Sequence, residues 1–434
     1  MFERIFKNYD VRGIVDEELL PDTYVRLAYA FASHQGLSSV IVARDGRASS
    51  ASFAQAAISG FLRAGCSITD IGVASTSQLK WLVAQKNFCG GLMITASHNP
   101  PEYNGAKFYL RGGVAFGEVN GLHELKSLLS QNLPEESGTC VSSSFVHEYI
   151  AACIRLGSFS PRKVFINPSG GASCEEAKTF VEQSGIPAVL YNASIDGSFS
   201  LHSPNPLDAS AQEVLKEYCA INGCIGVLLD GDGDRIIFVD EQGIAVPPDL
   251  LCALLAQRLS SAVGTVNCTL ALRDAVGADN YVQTKVGNVH VQKAVQETKS
   301  AIGAEKSGHV FLAQMHGCEA PFGLLTLVLS FIGDSSLHEL VSVLRKKYFS
   351  SVEHNYRSQD PDADLLRAQT LFDTGSVSEL DGVLISGADW WFSVRKSNTE
   401  PLIRISYEAT TADMFAFLEK QEQIFCTERN LFKV

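Results

Sequence analysis

The chain has 434 residues, 46% hydrophobic and 19% charged, with a formal net charge of -13 and a mean hydropathy of +0.07. This is the balance of a globular protein with material for several cores, and the length suggests about three domains. The acidic balance argues against nucleic acid as a partner, since that binding rests on basic patches, and no uncharged apolar run reaches the ~18 residues of a membrane span. The opening stretch Met1–Lys7 is too polar for a signal peptide. Eleven cysteines with no C-x-x-C spacing read as reduced, mostly buried thiols of a cytoplasmic protein.

Taken in order, the chain first offers Arg12, in Tyr9-Asp10-Val11-Arg12-Gly13, as a phosphate holder or as an ordinary surface contact. Pro21 to His34 reads as a helix, with Val25, Ala28, Phe31 and Ala32 at helical spacing. A strand over Val40–Ala43 ends in Arg44-Asp45-Gly46-Arg47, and an alanine-rich helix follows to about Gly65. A strand reaches Val73, a helix covers Leu79–Val83, and the apolar run Gly90–Ile94 is a buried strand. It ends in the loop Thr95-Ala96-Ser97-His98-Asn99-Pro100. Strands alternating with helices predict an α/β protein whose mixed or parallel sheets are covered on both faces.

A helix over Leu122–Leu129 and a polar linker near Glu135–Thr139 put a first boundary at residue 142. The second unit, 143–242, holds a helix near 147–156, the strand Val164–Ile166, the turn Asn167–Gly171 and the strand Gly226–Leu229. After the run Asp230–Arg235 comes the strand Ile236–Val239. The third, 243–352, holds a helix Leu250–Leu259, a strand Thr269–Leu272, and the loops Lys285–Asn288 and Glu305–His309 before the strand Val310–Leu312. The fourth, 353–434, is smaller, with the strands Trp390–Val394 and Leu402–Ser406 around the loop Arg395–Pro401.

Four stretches carry chemistry. Ser97 sits at the carboxyl end of a strand, where open α/β sheets bind ligands, so it can act as a nucleophile or phosphate carrier. A lone serine there is more often a cap. Asp230-Gly231-Asp232-Gly233-Asp234-Arg235 sets three carboxylates at alternate positions, able to converge on one hard cation. An EF-hand loop is excluded although Glu241 stands twelfth, because Arg235 replaces the required glycine and the flanks are strands. Arg395-Lys396-Ser397-Asn398-Thr399-Glu400-Pro401 has the cations, hydroxyls and amide to hold a phosphate dianion, or to satisfy its own turn. In Glu305-Lys306-Ser307-Gly308-His309, Glu305 and Ser307 alternate and could face neighbouring sugar hydroxyls, while His309 offers proton transfer. Lys107, in Tyr103-Asn104-Gly105-Ala106-Lys107, either balances charge near Ser97 or is solvated.

With these motifs in this order, the sequence resembles an α-D-phosphohexomutase, most like the phosphomannomutase/phosphoglucomutase type. The stretch Pro101–Gly105 resembles that type more than the phosphoglucosamine type. The resemblance implies four domains around a central cleft, three related α/β domains with mixed sheets and a smaller α+β domain at the C-terminus. It implies that Ser97 carries a phosphoryl group, and that Asp230, Asp232, Asp234 and the phosphoserine hold Mg2+. Glu305 and Ser307 would bind sugar hydroxyls, and Arg395, Ser397, Asn398 and Thr399 the non-reacting phosphate. Arg12, Lys107 and His309 would line the reacting end, and Lys285 and Asn288 a further wall. The implied reaction interconverts hexose 6-phosphate and hexose 1-phosphate through a hexose 1,6-bisphosphate, in a monomer or dimer, with Lys107 or His309 as general base. Three stretches depart from the pattern: Ala304 where glycine is usual, Ser75-Thr76-Ser77 without the usual proline, and Gly317–Pro321 in place of an aspartate-containing loop. These are expected to touch the sugar side more than Ser97 or the metal. The alternatives are a phosphoglucosamine mutase, a phosphatase-like enzyme using Asp230 as nucleophile, and a non-catalytic phosphosugar-binding homologue.

Overall fold

A computed structural model describes residues 2–397 and 402–433. The chain divides into two compact units, the first formed by residues 1–246 with 307–337 and the second by 247–306 with 338–434. In the first unit a mixed sheet runs in the order Val11–Ile14, Tyr103–Leu110, Gly90–Ile94, Ser39–Arg44, Ser67–Val73, Thr139–Ser142, with Val114–Phe116 added to Tyr103–Leu110. The four strands from Gly90–Ile94 onward are parallel, and Tyr103–Leu110 is antiparallel to its neighbours. All five residues of Gly90–Ile94 are buried, which is why this strand reads as a continuous apolar run. Helices Pro21–Gln35 and Ser50–Arg63 cover the sheet. Phe31, Phe53, Phe61, Phe108 and Phe116 anchor the core there.

A second sheet in the same unit runs Ala245–Val246, Ile236–Val239, Ile225–Leu229, Val164–Asn167, Ala188–Leu190. Strands Ile225–Leu229 and Ile236–Val239 form an antiparallel pair, and the Asp230–Arg235 run is the turn between them. A hairpin of Val310–Leu312 and Cys318–Glu319 leads into the buried helix Pro321–Ile332. The helix read over Leu122–Leu129 is a 3-10 run, Leu122–Leu128.

In the second unit, Ala262–Thr265 lies between Tyr281–Thr284 and Ile302–Ala304, all parallel. The expected strand Thr269–Leu272 is instead the start of a helix, Leu270–Val276. Thr269 caps it by accepting from Ala271 N, and the carboxylates of Asp249 and Glu408 accept from Thr269 N and Leu270 N. Acceptors gathered on the first amides of a helix override the strand preference of a short apolar run. The C-terminal part is an antiparallel sheet in the order Ser376–Ser378, Val383–Ser386, Trp390–Lys396, Leu402–Ala409, His354–Arg357, Phe432–Lys433, packed on helix Ala412–Glu428. All eleven cysteines are free thiols and nine are buried. No single helix among the described residues is long and apolar enough to cross a membrane.

Candidate active site

The loop after Gly90–Ile94 turns sharply at Ser97, whose φ of +52° lies in the left-handed region that a serine seldom adopts. The turn is held from three sides. Ser97 N–H donates to Thr95 Oγ1 at 2.8 Å, and Thr95 Oγ1 in turn donates to Asp45 Oδ2 at 2.7 Å. The wholly buried Arg47 guanidinium donates to the carbonyls of Ser97, Asn99, Pro100 and Tyr103, and its Nε pairs with Asp45 at 3.0 Å. Arg47 and Asp45, which the sequence offered only as the end of a strand, are thus the scaffold of the serine loop.

Opposite Ser97 stands the Asp230–Arg235 turn, and Ser97 Oγ donates to Asp230 Oδ2 at 3.1 Å. The glycines have a steric reason. A Cβ on Gly231 would lie 2.7 Å from Ser97 O. Gly233 has a φ of +70°, and a Cβ there would lie 2.0 Å from Ser173 Oγ. Asp230, Asp232 and Asp234 are fully buried, with one carboxylate oxygen of each within 4.8 Å of the others. Lys107, itself buried, donates from Nζ to Asp232 Oδ2 and Asp234 Oδ2, each at 2.6 Å. The lysine is therefore not solvated. Burial opposes its charge, but the two aspartates more than offset that and hold it well above the usual lysine range. Burial and the neighbouring Asp234 and Asp232 push Asp230 well up, while at Asp234 burial is outweighed by Lys107 and His309 together, which hold it down at about 2.

Asp232 Oδ1 and Asp234 Oδ1 are buried and have no hydrogen-bond partner among the described residues. Buried carboxylate oxygens left unbonded beside a serine hydroxyl suit a hard divalent cation such as Mg2+, which prefers oxygen ligands. The residues present fit that ion.

Arg12, on strand Val11–Ile14, donates to Asn99 Oδ1 and to Asp10 Oδ2, so it borders the serine loop. His98 Nδ1 is 3.3 Å from Ser97 Oγ, and burial, then Arg235 and Arg12, push the ring down to about 2, which keeps it neutral. His309 Nε2 accepts from Arg235 Nε at 3.0 Å, and its Nδ1 lies 3.6 Å from Asp234 Oδ1 and 3.5 Å from Glu319 Oε1.

Two of the three departures from the family pattern border this cluster, contrary to the expectation that they serve the sugar side. Thr76 Oγ1 donates to Asp232 Oδ2 at 2.6 Å, Thr76 N to Asp232 O at 2.8 Å, and Ser77 Oγ to Gly233 O at 2.8 Å. Glu319, from the Gly317–Pro321 stretch, is buried against His309. Burial works against its charge, but Lys80 and His309 hold it down at about 2. The hydroxyls of Thr76 and Ser77 bond the aspartate loop directly, and nothing in sequence spacing shows that contact.

The second unit gathers another part of the expected set. Glu305 Oε1 accepts from Gly287 N at 2.9 Å, and Asn288 opens helix Asn288–Thr298. Asp381 Oδ2 accepts from Val286 N at 2.9 Å and from Arg395 Nε at 2.9 Å, so one carboxylate joins the 285–288 loop to Arg395. Arg395 also reaches Glu353 at 3.5 Å. Lys285 is exposed and Ser397 N donates to Leu402 O at 2.8 Å. Arg395 and Lys396 belong to the strand rather than to a loop, and Asn398 and Thr399 lie outside the described residues. Ser307 stands in the first unit, at the start of its 307–337 segment.

The phosphoglucomutase/phosphomannomutase alpha/beta/alpha domains I, II and III match residues 3–128, 145–243 and 247–348, and the C-terminal domain of that family matches 357–422. A probable phosphoglucosamine mutase of Methanopyrus kandleri is 30% identical over 94% of this chain and 95% of its own. The chain belongs to the phosphoglucomutase/phosphomannomutase family. A phosphomannomutase/phosphoglucomutase of Pseudomonas aeruginosa is 28% identical over 99% of this chain and 95% of its own. The solved structure of a phosphoglucomutase/phosphomannomutase family protein from Burkholderia thailandensis aligns with a TM-score of 0.87 at 25% identity, over 99% of this chain and 98% of that one. As a family member the chain is an enzyme of the phosphohexomutase class with that four-domain architecture, and the non-catalytic alternative falls away.

Proposed function

We propose that this enzyme is a Mg2+-dependent mutase that interconverts hexose 6-phosphate and hexose 1-phosphate, with Ser97 as the phosphoryl carrier. The observation that carries the reading is the Ser97 hydroxyl, held on a strained turn 3.1 Å from Asp230 and facing two buried carboxylates that have unbonded oxygens. In the forward step the P–O bond of phospho-Ser97 breaks as the free sugar hydroxyl bonds to phosphorus. The hydroxyl's proton passes to a base, and the product is hexose 1,6-bisphosphate. After the sugar turns over, its other phosphoryl group returns to Ser97. Lys107 and Arg12 supply fixed positive charge for the phosphoryl oxygens, which is the main requirement in this chemistry. His309 or Lys107 would take that proton, and both border the buried aspartates. Mg2+ held by Asp230, Asp232, Asp234 and the phosphoserine would add Lewis-acid charge at the transferred group. Arg395, Ser397, Asn398 and Thr399 would grip the non-reacting phosphate, with Glu305 and Ser307 on sugar hydroxyls and Lys285 and Asn288 as a further wall.

Mapping the phosphopeptide of the isolated enzyme tests the carrier. An acid-stable phosphate on Ser97 is expected. A hydroxylamine-labile phosphate on Asp230 would overturn the mechanism in favour of an aspartyl-phosphate enzyme.

The sugar follows from what Glu305 and Ser307 can read. Two alternate polar residues engage two adjacent hydroxyls, and mannose and glucose differ only at carbon 2. Strong rejection of one epimer needs a buried partner for that hydroxyl. kcat/KM for mannose 1-phosphate and glucose 1-phosphate should therefore agree within about tenfold, or ~1.4 kcal/mol. A phosphoglucosamine reading is supported by the relative of that name from Methanopyrus kandleri. Side-by-side assays with glucosamine 1-phosphate decide between the two, and a preference for it above about a thousandfold would replace the first reading.

A further inference from the structure

The helix that begins at Thr76 is joined to the 317–321 stretch by a buried ion pair. Lys80, on helix Thr76–Gln85, is 1% exposed, and its ammonium binds Glu319 Oε2, also on a residue 1% exposed. The same ammonium lies 5.5 Å from the Tyr109 ring centroid and 5.4 Å from that of Phe311, so aromatic faces complete its surroundings. A lysine this deep is costly unless paired, and Glu319 is the partner that holds it.

The other oxygen of Glu319 faces His309. Glu319 Oε1 and His309 Nδ1 are buried, lack any other hydrogen-bond partner among the described residues, and lie 3.5 Å apart. On the far side of the ring, Nε2 accepts from Arg235 Nε. A nitrogen that accepts carries the lone pair, so a neutral ring must bear its proton on Nδ1, between Glu319 and Asp234. One ligand atom each of Asp234, His309 and Glu319 also lies within 4.8 Å of the others. A cation bound there would need the Nδ1 lone pair, which the Arg235 contact denies.

We infer that Lys80 and Glu319 are positioning residues for His309. The ammonium takes Oε2 and leaves Oε1 facing Nδ1, so the carboxylate holds the ring's orientation from one side while Arg235 holds Nε2 from the other. The inference rests on the proposed placing of His309 at the reacting end. Neither residue touches substrate. Without Lys80 the buried carboxylate takes a proton or turns away, and either change removes the acceptor from Nδ1.

The test compares the full-length enzyme with Lys80→Met, Lys80→Met/Glu319→Met, Glu319→Gln and His309→Ala, reading Tm, kcat and KM for a hexose 1-phosphate at saturating Mg2+. Lys80→Met should lower both Tm and kcat. The double variant replaces a buried pair with apolar volume and should regain Tm, since such exchanges are often neutral or stabilising. Its kcat should stay down by at least ~10-fold, a share of what a positioned base contributes, with KM within about twofold. Recovery of kcat together with Tm would overturn the inference and leave the pair a structural staple. Glu319→Gln keeps size and fold. Its carbonyl oxygen must face Lys80, so its amide N–H faces the Nδ1 proton and the ring loses its acceptor, a change that the ring nitrogen shifts of the labelled histidine should show by NMR. Unchanged His309 ring shifts and kcat in that variant would also overturn it. A wild-type enzyme without mutase turnover, or full activity in His309→Ala, would sink the underlying functional reading instead.

Discussion

The surroundings of Ser97 and of Arg395 handle charge in opposite ways. Around Ser97 the charged groups are sealed from water: Asp230, Asp232, Lys80 and Glu319 are each at most 1% exposed, and every one has a fixed geometry. Around Arg395 they are half in solvent. The side chains of Asp381, Glu353 and Arg404 are 24%, 30% and 36% exposed, and each acid serves more than one partner. Sealed charges interact strongly and tolerate little rearrangement, which suits groups that must meet a transition state. Charges open to solvent are exchangeable. Asp381 and Glu353 hold Arg395 in place with carboxylates that solvent reaches.

The contrast can be broken most severely in the buried cluster. Asp232→Asn removes a carboxylate that also braces Lys107 and Thr76, and should lower kcat by at least ~10²-fold with a comparable loss on adding chelator. Full turnover in that variant, or in excess chelator, would mean the cluster is a structural device. In the open region Arg395→Ala should cost roughly 1.5–3 kcal/mol in kcat/KM, the worth of a charge-assisted contact. The loss should fall alike on 1-phosphate and 6-phosphate substrates, since each presents a phosphate to be held. A loss confined to one isomer would show that the guanidinium serves a single orientation.

The smallest effect sharpens the buried side. Glu176 is buried with its Oε1 on Ser75 N at 3.0 Å, and burial raises its pKa to about 7 from an ordinary 4.5. A carboxyl raised on folding favours the native state when protonated. Its contribution is full below about 4.5 and is lost as pH rises through about 7. Glu176→Gln removes this dependence, so its stability relative to wild type should grow between pH 5 and pH 8, by on the order of 1–3 kcal/mol. Parallel stability curves for the two proteins across that range would show that Glu176 does not titrate there.

Much of this was legible in the chain itself. The apolar run Gly90–Ile94, the serine after it and the Asp230–Arg235 turn between two apolar strands are local signals, and each is present as read. What stayed hidden was non-local. Thr76 meets Asp232 across 156 residues and Lys80 meets Glu319 across 239, so no periodicity reveals either contact. Arg47 was passed over for the same reason, since four carbonyl acceptors on a distant loop leave no mark on the residues around it. The missed helix at 270–276 follows the same logic, because Glu408, which seals its first turn, stands 138 residues away.

The backbone turn at Ser97 occurs twice. Ser169, after the strand Val164–Asn167, has a φ of +59°, and its N–H donates to the side chain two residues earlier, as Ser97 N–H does to Thr95. Its hydroxyl, however, is spent on the carbonyl of Leu229. The same bent segment thus serves twice, with its hydroxyl on a carboxylate in one copy and on a carbonyl in the other. The difference lies in the neighbour across the gap, and a serine given a carbonyl to hold in place of a carboxylate cluster becomes a rivet.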